Sequence, residues 1–412
     1  MDKKYEIALS YANGNDELSD IISYELDCTF DKAFFKDKLR MDELSLADPL
    51  GPTLRSIFKN SRFSLVLYTK EYKKGQFAPV ELREIIKKAE EERENNFFII
   101  KADDSPIEET QLQDAYYISL NPNLFKTKED VQKKVEEIVQ KNIKTCMIKR
   151  SIKDKKENNK YKLNIHTIYD NGNNVQWLRN YDWNIIAKKY VEKREVKEPY
   201  TWEDFWHSIS LDFNIIKEEL EREKETTRVI HFNCHLSLAY KLGQIYGNLN
   251  QPSTNRNLQL LSSNGKIKFV FAKERVARDE KDFCEDYSGN DMMGSDIICI
   301  VSIKYPKNEQ ILDEVKAFLD NENQKYNSIY LFQDERYINS TEELESLADY
   351  IYNKMLSSRI HGRNCRFHLF LDTITPLAFV LGGRRPFPGE VQLYEYLENK
   401  ATYKNSLTRG ID

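Results

Sequence analysis

Short apolar runs alternate with helical patterns along the first 140 residues of the chain. Residues 63–68 form an apolar, β-rich run, typical of a strand buried on both faces of a parallel sheet. Similar runs lie at residues 5–11, 33–35, 97–100 and 116–120. Five strands alternating with helices predict an α/β fold with a doubly wound parallel sheet, whose ligands bind at the carboxyl ends of the strands.

One helix in this region carries a carboxylate at a notable position. Pro79 suits the first turn of a helix, since proline has no N–H to satisfy there. At helical spacing, Glu81 lies at the border of the apolar stripe beside Ile85, whereas Glu84 points away from it. The pattern predicts that Glu81 faces a pocket. The alternative is that Glu81 only caps a helix N-terminus, where acidic residues are favoured anyway.

Composition limits the classes of partner. The net charge is −5 and 31% of residues are charged, so we expect no general attraction to DNA. The longest apolar run, residues 297–301, is far too short to span a bilayer, and we therefore expect a cytoplasmic protein without a membrane partner. The six cysteines occur without any CxxC pair, which predicts reduced thiols rather than a disulfide framework or a zinc site.

An internal repeat organises the C-terminal part. Residues 229–243 and 368–382, which are 139 positions apart, both read as strand, turn and helix, and share an LA-aromatic-x-LG pattern. Such a duplication predicts two Rossmann-like halves about a pseudo-two-fold axis, each directing a helix N-terminus at the groove between them. This groove suits a ligand with repeated phosphates. Further strands are expected at residues 266–271, 297–303 and 329–332.

Candidate ligand contacts follow from the repeat. Polar residues lie in the two turns, at strand ends and helix starts, and two arginines that can pair with phosphate follow the second helix. Taken singly, each residue also fits ordinary turn chemistry. His231 lies in a strand and no second ligand pair is visible, so we expect no metal. We also expect the loop at residues 287–294 to close over a ligand. The candidate contacts are Asn233, Cys234, His235, Asp372, Thr373, Thr375, Arg384 and Arg385.

Two further segments lie between these regions. Residues 144–160 hold seven Lys or Arg without periodicity, which indicates a solvated linker. All four tryptophans follow within thirty residues and favour a core cluster, with base stacking as the alternative. They are Trp177, Trp183, Trp202 and Trp206.

Five segments follow one another in residues 1–142: YEIALSYA, the ADPLG loop, SRFSLVLYTKEY, the Glu81 helix and the YISL strand. With these segments in this order, residues 1–142 resemble a bacterial TIR domain. The resemblance implies a flavodoxin-like fold and cleavage of NAD⁺ to nicotinamide and ADP-ribose by a single essential glutamate, which is Glu81 here. NAD⁺ is then a substrate and no cofactor is needed. The implied NAD⁺ contacts are Ser10, Tyr11, Asp37, Asp48, Leu50 and Phe77.

This chemistry needs little beyond a carboxylate. Nicotinamide leaves as a neutral base, so no general acid is required, and the barrier lies in an oxocarbenium-like ribosyl cation. An ionised carboxylate in a water-poor site can stabilise that cation and orient water. The sequence departs from many relatives at two positions where tryptophan is common. Leu50 stands at one, in the ADPLG loop, and residues 76–79 lack the tryptophan that often precedes the glutamate, although Phe77 still offers an aromatic face.

Residues 161–412 resemble a SAVED domain, two fused CARF-like halves that sense cyclic oligonucleotides in anti-phage signalling. The resemblance is carried by FHLFLDTITPLAFVLGGRRP and VQLYEY, with residues 143–160 as the linker. It implies a cyclic trinucleotide activator, made by a cognate nucleotidyltransferase, that drives self-association and so completes the NAD⁺ site. Two alternatives stay open: a non-catalytic TIR interaction module, and a C-terminal part that binds another nucleotide or a protein.

Overall fold

The chain forms two compact units. The structure, a computed structural model, describes residues 5–12, 16–30, 33–34, 50–75, 77–92, 96–107, 112, 117–153, 160–166, 181–186, 190–192, 195–197, 202–222, 226–247, 257–261, 267–271, 283–359, 365–385, 389–397 and 402–408. The N-terminal unit comprises Met1–Arg150 and Lys188–Pro199, and the C-terminal unit comprises Ser151–Ala187 and Tyr200–Asp412.

The N-terminal unit is built around one parallel sheet. Its elements are β1 (Tyr5–Ser10), α1 (Asp16–Thr29), β2 (Ala33–Phe34), α2 (Leu50–Asn60), β3 (Ser61–Tyr68), α3 (Ala78–Glu92), β4 (Phe97–Lys101), β5 (Tyr117–Ser119) and α4 (Lys128–Glu137). The strand order is β2-β1-β3-β4-β5, with every pair parallel. This order is that of flavodoxin-like folds and confirms the predicted doubly wound sheet. Its switch point lies between β1 and β3, where the order along the sheet reverses direction.

Helix α4 continues beyond the predicted end of the domain. A π-helical stretch, Ile138–Lys144, leads into α5 (Thr145–Lys153). Met147, Ile148 and Ile152 are buried. The prediction of a solvated linker is therefore wrong for residues 144–153, because this segment is helical and buries an apolar side, while Lys149 and Lys153 lie on its exposed side and Lys144 is itself buried. Residues 154–159 lie outside the described part of the chain.

A short hairpin from later in the sequence also belongs to the N-terminal unit. Its strands are β8 (Tyr190–Glu192) and β9 (Glu195–Lys197), which pair antiparallel. The first of them packs against α1. The predicted second domain, residues 161–412, includes this hairpin, whereas in the structure residues 188–199 return to the first unit.

The C-terminal unit contains two sheets. The elements of its first half are β6 (Lys160–His166), β7 (Trp183–Ile186), α6 (Trp202–Arg222), β10 (Thr227–Asn233), α7 (Leu236–Tyr246), β11 (Leu258–Leu261) and β12 (Lys268–Val270). Those of its second half are β13 (Cys284–Ser288), β14 (Ile297–Ile303), α8 (Ile311–Asn321), β15 (Ser328–Asp334), α9 (Thr341–Ser357), β16 (Arg366–Thr373), α10 (Thr375–Gly382), β17 (Glu390–Leu397) and β18 (Thr402–Thr408).

The two halves share one topology, which confirms the predicted duplication. Strands run β7-β6-β10-β11-β12 in the first sheet and β15-β14-β16-β17-β18 in the second, which also has β13 at its edge. In both sheets the first four strands of this series are parallel and the last is antiparallel. The two strand–turn–helix units of the repeat are β10–α7 and β16–α10, so the switch points lie between β6 and β10 and between β14 and β16.

The helices of the repeat cross each other at two glycines. A Cβ on Gly243 would lie 1.9 Å from the carbonyl oxygen of Phe379, and a Cβ on Gly382 would lie 2.0 Å from that of Tyr240. Real Cβ atoms do not approach so closely, and only glycine permits this contact. The LA-aromatic-x-LG pattern therefore encodes a symmetric crossing of α7 and α10, in which the aromatic position of each helix meets the glycine of the other.

Candidate functional site

Glu81 lies at the switch point of the N-terminal sheet. It occupies the first turn of α3, on the face that also buries Ala78, Leu82 and Ile85. Its side chain is 1% exposed, and Ser10, the last residue of β1, donates a 2.5 Å hydrogen bond to its Oε2. Glu81 therefore faces the interior, as its place beside the apolar stripe predicts, whereas the predicted pocket in front of it stays a prediction. The hydrogen bond from Ser10 joins the carboxylate to β1, outside its own helix. Glu81 therefore does more than cap the N-terminus of α3.

A tyrosine stands behind this pair. Tyr72 begins a short 3₁₀ helix, Tyr72–Lys74, between β3 and α3. Its hydroxyl lies 2.7 Å from Ser10 Oγ and 3.3 Å from the carbonyl oxygen of Ala78. Three buried oxygen-bearing side chains thus follow one another from the core to the start of α3.

The other predicted NAD⁺ contacts fall in different environments. Ser10 has no exposed surface and its hydroxyl donates to Glu81, so its predicted contact with NAD⁺ stays a prediction. Tyr11 is also buried, whereas Phe77 is partly exposed and its carbonyl accepts from the backbone of Glu81. Leu50 is the first residue of α2. Asp37 and Asp48 lie outside the described residues.

In the first half of the C-terminal unit, a hydrogen-bonded polar pair lies at the switch point. His166 and Asn233 end β6 and β10 and are opposite each other in register. Asn233 Nδ2 lies 2.9 Å from His166 Nδ1. Asn233 thus lies at a strand carboxyl end, as predicted, beside a histidine that sequence analysis did not single out.

The second half has an equivalent pair with added charge. Asp372, which is 139 positions after Asn233, faces Ser302 across β14 and β16, and the Ser302 hydroxyl donates to it at 3.3 Å. Lys304, just beyond β14, forms an ion pair of 2.5 Å with the same carboxylate. Thr373 donates to the carbonyl of Ile303 at 2.8 Å. A half-exposed cation is therefore held at the carboxyl end of this sheet.

The N-terminus of α7 is covered by other side chains. Cys234 is buried, and burial raises the pKa of its thiol above its ordinary value. His235 packs edge-on against Trp202 with ring centroids 4.9 Å apart, and burial lowers its pKa to about 4. The imidazole is thus neutral near pH 7 and offers no cation to a phosphate.

Glu395 completes this cover from the other half of the unit. Its carboxylate, on β17, accepts a 2.6 Å hydrogen bond from the backbone N–H of Ser237 in the first turn of α7. It is 8% exposed, and burial raises its pKa to about 7, against the lowering effect of Ser237. An acidic side chain therefore occupies the helix N-terminus that the repeat predicted for a ligand phosphate.

The start of α10 and the two arginines give a mixed outcome. Thr375, the first residue of α10, is buried. Arg384 is 1% exposed and pairs with Asp349 of α9 at 2.9 Å. Arg384 thus stabilises the fold, which corrects its prediction as a phosphate contact. Arg385 is partly exposed and donates to the carbonyl oxygen of Gln244 at 2.7 Å.

The predicted lid loop is held in place. Asn290 accepts from the backbone of Tyr326, and Asn327 donates to the carbonyl oxygen of Met292. The loop also precedes β14, so it lies at the amino end of the second sheet, opposite the polar strand ends. The lid interpretation is therefore wrong. Across the described ranges, no group of three or more His, Cys, Asp or Glu residues is placed to bind a metal.

Five residues of these sites were missed from sequence. Ser302 and Lys304 lie at or just beyond the end of the strand predicted at residues 297–303, so their position was the available signal. His166 ends β6 and became recognisable only through its register with Asn233. Tyr72 and Glu395 carried no local signal, because their partners are 62 and 158 residues away. Among the helices that the structure describes, none is long and apolar enough to cross a membrane.

Comparison with known proteins identifies the C-terminal part. Residues 214–408 match SAVED, described as the SMODS-associated and fused to various effectors sensor domain. No curated protein matches the chain.

Structural comparison with solved proteins finds matches that include two bacterial receptors. The Acinetobacter baumannii Cap4 SAVED/CARF-domain receptor with the cyclic trinucleotide 3′3′3′-cAAA is 11% identical, with 96% of this chain and 98% of that chain covered and a TM-score of 0.45. The Moraxella osloensis Cap4 receptor is 11% identical, with 98% and 88% covered and a TM-score of 0.39. Residues 214–408 of this chain thus match the SAVED sensor domain over most of the C-terminal unit.

Proposed function

We propose that this chain is an NAD⁺ glycohydrolase that a cyclic oligonucleotide activates. The SAVED family is described as a sensor domain fused to effectors, so the N-terminal unit is the candidate effector. The observation that carries the enzymatic proposal is Glu81, a buried carboxylate at the switch point of a flavodoxin-ordered sheet. The TIR resemblance of residues 1–142 supports the same residue.

The proposed reaction uses Glu81 to stabilise a ribosyl cation. As the bond to nicotinamide breaks, positive charge develops on the ribose, and a carboxylate in a poorly hydrated site interacts with it more strongly than in water. Nicotinamide departs as a neutral base, so no proton donor is needed. Water then attacks the anomeric carbon and releases one proton to the solvent, which gives ADP-ribose.

The proposed messenger site lies at the polar strand ends of the C-terminal unit. Asn233 with His166 and Asp372 with Ser302 occupy equivalent positions in the two halves. Amide, imidazole and carboxylate groups can hydrogen-bond to base edges and ribose hydroxyls, and Lys304 supplies a cation for phosphate. A ring of repeated nucleotides suits two equivalent sets of such groups.

Activation would proceed through self-association. In this proposal a nucleotidyltransferase makes the messenger, the occupied SAVED domain assembles with further copies, and neighbouring N-terminal units complete the NAD⁺ pocket. The family resemblance supports this step. Mixing Glu81→Gln chains with Asp48→Ala chains tests it, since shared pockets restore activity in the mixture and self-contained pockets do not.

The direct test is NAD⁺ turnover by the purified full chain with a panel of cyclic di- and trinucleotides. The Cap4 complexes make 3′3′3′-cAAA and 2′3′3′-cAAA the first two ligands to include. We expect nicotinamide release with one ligand of the panel and none without it. Ligand binding with NAD⁺ left intact would instead favour a non-catalytic interaction module, and no binding by any cyclic nucleotide would contradict the sensor assignment.

A further inference from the structure

The cluster behind Glu81 has a defined direction of hydrogen bonding. Ser10 has one hydroxyl proton, which it donates to Glu81 Oε2 at 2.5 Å. The Ser10 oxygen is then an acceptor for the Tyr72 hydroxyl at 2.7 Å, a shorter contact than the 3.3 Å from Tyr72 to the Ala78 carbonyl. One proton per hydroxyl gives a relay that runs from the tyrosine through the serine to the carboxylate.

We propose that Tyr72 is a positioning residue that acts on Glu81 through Ser10 and holds its carboxylate ionised and oriented for reaction. This inference rests on the proposed NAD⁺ chemistry of Glu81. Hydrogen bonds donated to the charged form favour that form, and consecutive hydrogen bonds polarise one another. Glu81 is buried, so the donated hydrogen bond replaces part of the hydration that its charge has lost.

The fold fixes Tyr72 independently of the carboxylate. Its ring is 1% exposed and lies 5.7 Å from that of Tyr68 in the core. Its backbone N–H donates to the carbonyl oxygen of Thr69 at 3.0 Å, at the end of β3. The hydroxyl is therefore presented at a set place, and Ser10 transmits this placement from β1 to the first turn of α3.

Tyr72→Phe tests the relay, because it removes one hydroxyl and leaves the ring. With messenger present, we expect kcat for NAD⁺ cleavage to fall about tenfold and KM to change by less than about twofold, since a hydrogen bond to a charged group is lost without loss of a substrate contact. The acidic limb of the pH–rate profile should move to higher pH, because Glu81 then binds a proton more readily.

Tyr68→Phe is the matched control. Tyr68 is buried in the same core, and its hydroxyl donates to the Pro106 carbonyl at 3.4 Å, outside the relay. This variant should keep the wild-type pH profile. Ser10→Ala serves as the second test variant if Tyr72→Phe fails to fold. It should reproduce the loss in kcat and the shift in pH, whereas a serine that contacts NAD⁺ directly would raise KM.

The outcomes separate this inference from the proposed function. If the wild type cleaves NAD⁺ but Tyr72→Phe and Ser10→Ala keep its kcat and its acidic limb, the relay is overturned and the glycohydrolase stands. If the wild type leaves NAD⁺ intact with every ligand of the panel, the proposed function fails and the relay has no catalytic role. A selective loss of kcat in both variants, with Tyr68→Phe unchanged, supports the relay.

Discussion

The contact between Glu395 and the start of α7 predicts a pH-dependent stability of the C-terminal unit. Glu395→Gln keeps an acceptor for the Ser237 N–H and removes the charge. Burial raises the pKa of Glu395 from 4.5 to about 7. Because the folded protein binds this proton more tightly than the unfolded chain, the contribution of Glu395 to stability is fully present below pH 4.5 and is lost as pH rises through about 7. At 1.36 kcal/mol per pKa unit, the loss is about 3 kcal/mol.

Other titrating groups also change the stability with pH, so the free energies of unfolding of the wild type and of Glu395→Gln are compared at each pH. Burial lowers the pKa of His235 to about 4, so its contribution has the opposite sign and is lost as pH falls below 6.5. Wild type and Glu395→Gln share this histidine, and its effect cancels in the difference. We therefore expect the free energy of unfolding of Glu395→Gln, relative to that of the wild type, to increase by about 3 kcal/mol as the pH rises from 4.5 to 8.

Urea unfolding at several pH values measures this difference. All four tryptophans belong to the C-terminal unit, so their fluorescence follows its unfolding. Glu390→Gln is the control, because Glu390 lies on the same strand but pairs with the half-exposed Arg366, and such pairs contribute about 0–1 kcal/mol. A difference between wild type and Glu395→Gln that is independent of pH would refute the assignment of a buried, titrating carboxylate at the start of α7.

Three further predictions follow from the C-terminal unit. Gly243→Ala should lower the free energy of unfolding of the C-terminal unit by about 3 kcal/mol, since its methyl group meets a carbonyl oxygen; an unchanged value in tryptophan-detected urea unfolding would contradict the glycine crossing. Gly51→Ala, in the N-terminal unit and with nothing within 4 Å, is the control and should leave that transition unchanged. Lys304→Met should weaken cyclic trinucleotide binding about tenfold by calorimetry, and Lys307→Met should not; equal affinities would remove Lys304 from the site. Arg384→Met should cost about 3 kcal/mol of stability with ligand affinity unchanged in the folded fraction, and weaker binding by folded protein would restore Arg384 as a contact.

Helical phase was sufficient to orient Glu81 but not to identify its partners. The apolar positions of α3 fix which side of the helix is buried, so the placement of residue 81 follows from spacing alone. Ser10 was predicted as an NAD⁺ contact, but its hydrogen bond to Glu81 joins two elements that are 71 residues apart in the chain. Tyr72 lies in a three-residue 3₁₀ helix, whose orientation is set by tertiary packing and has no periodic signal.

The repeat predicted the two halves, because each copy of the strand–turn–helix pattern can be recognised from consecutive residues. The function of its glycines was not predictable, since a close helix crossing is known only once both helices are placed. Arg384 was misassigned for the same reason: Asp349, its partner, lies on another helix. In residues 144–153 the density of lysines concealed three buried apolar positions, Met147, Ile148 and Ile152.

We propose that a messenger bound to the SAVED domain switches on cleavage at Glu81. The most direct test of this proposal is to measure nicotinamide release from NAD⁺ by wild type, Glu81→Gln and Glu84→Gln, each with and without the activating cyclic oligonucleotide. We predict release by wild type and by Glu84→Gln only when ligand is present, and a loss of at least about 100-fold in Glu81→Gln. Release by Glu81→Gln at the wild-type rate, or release that does not depend on the ligand, would contradict the claim.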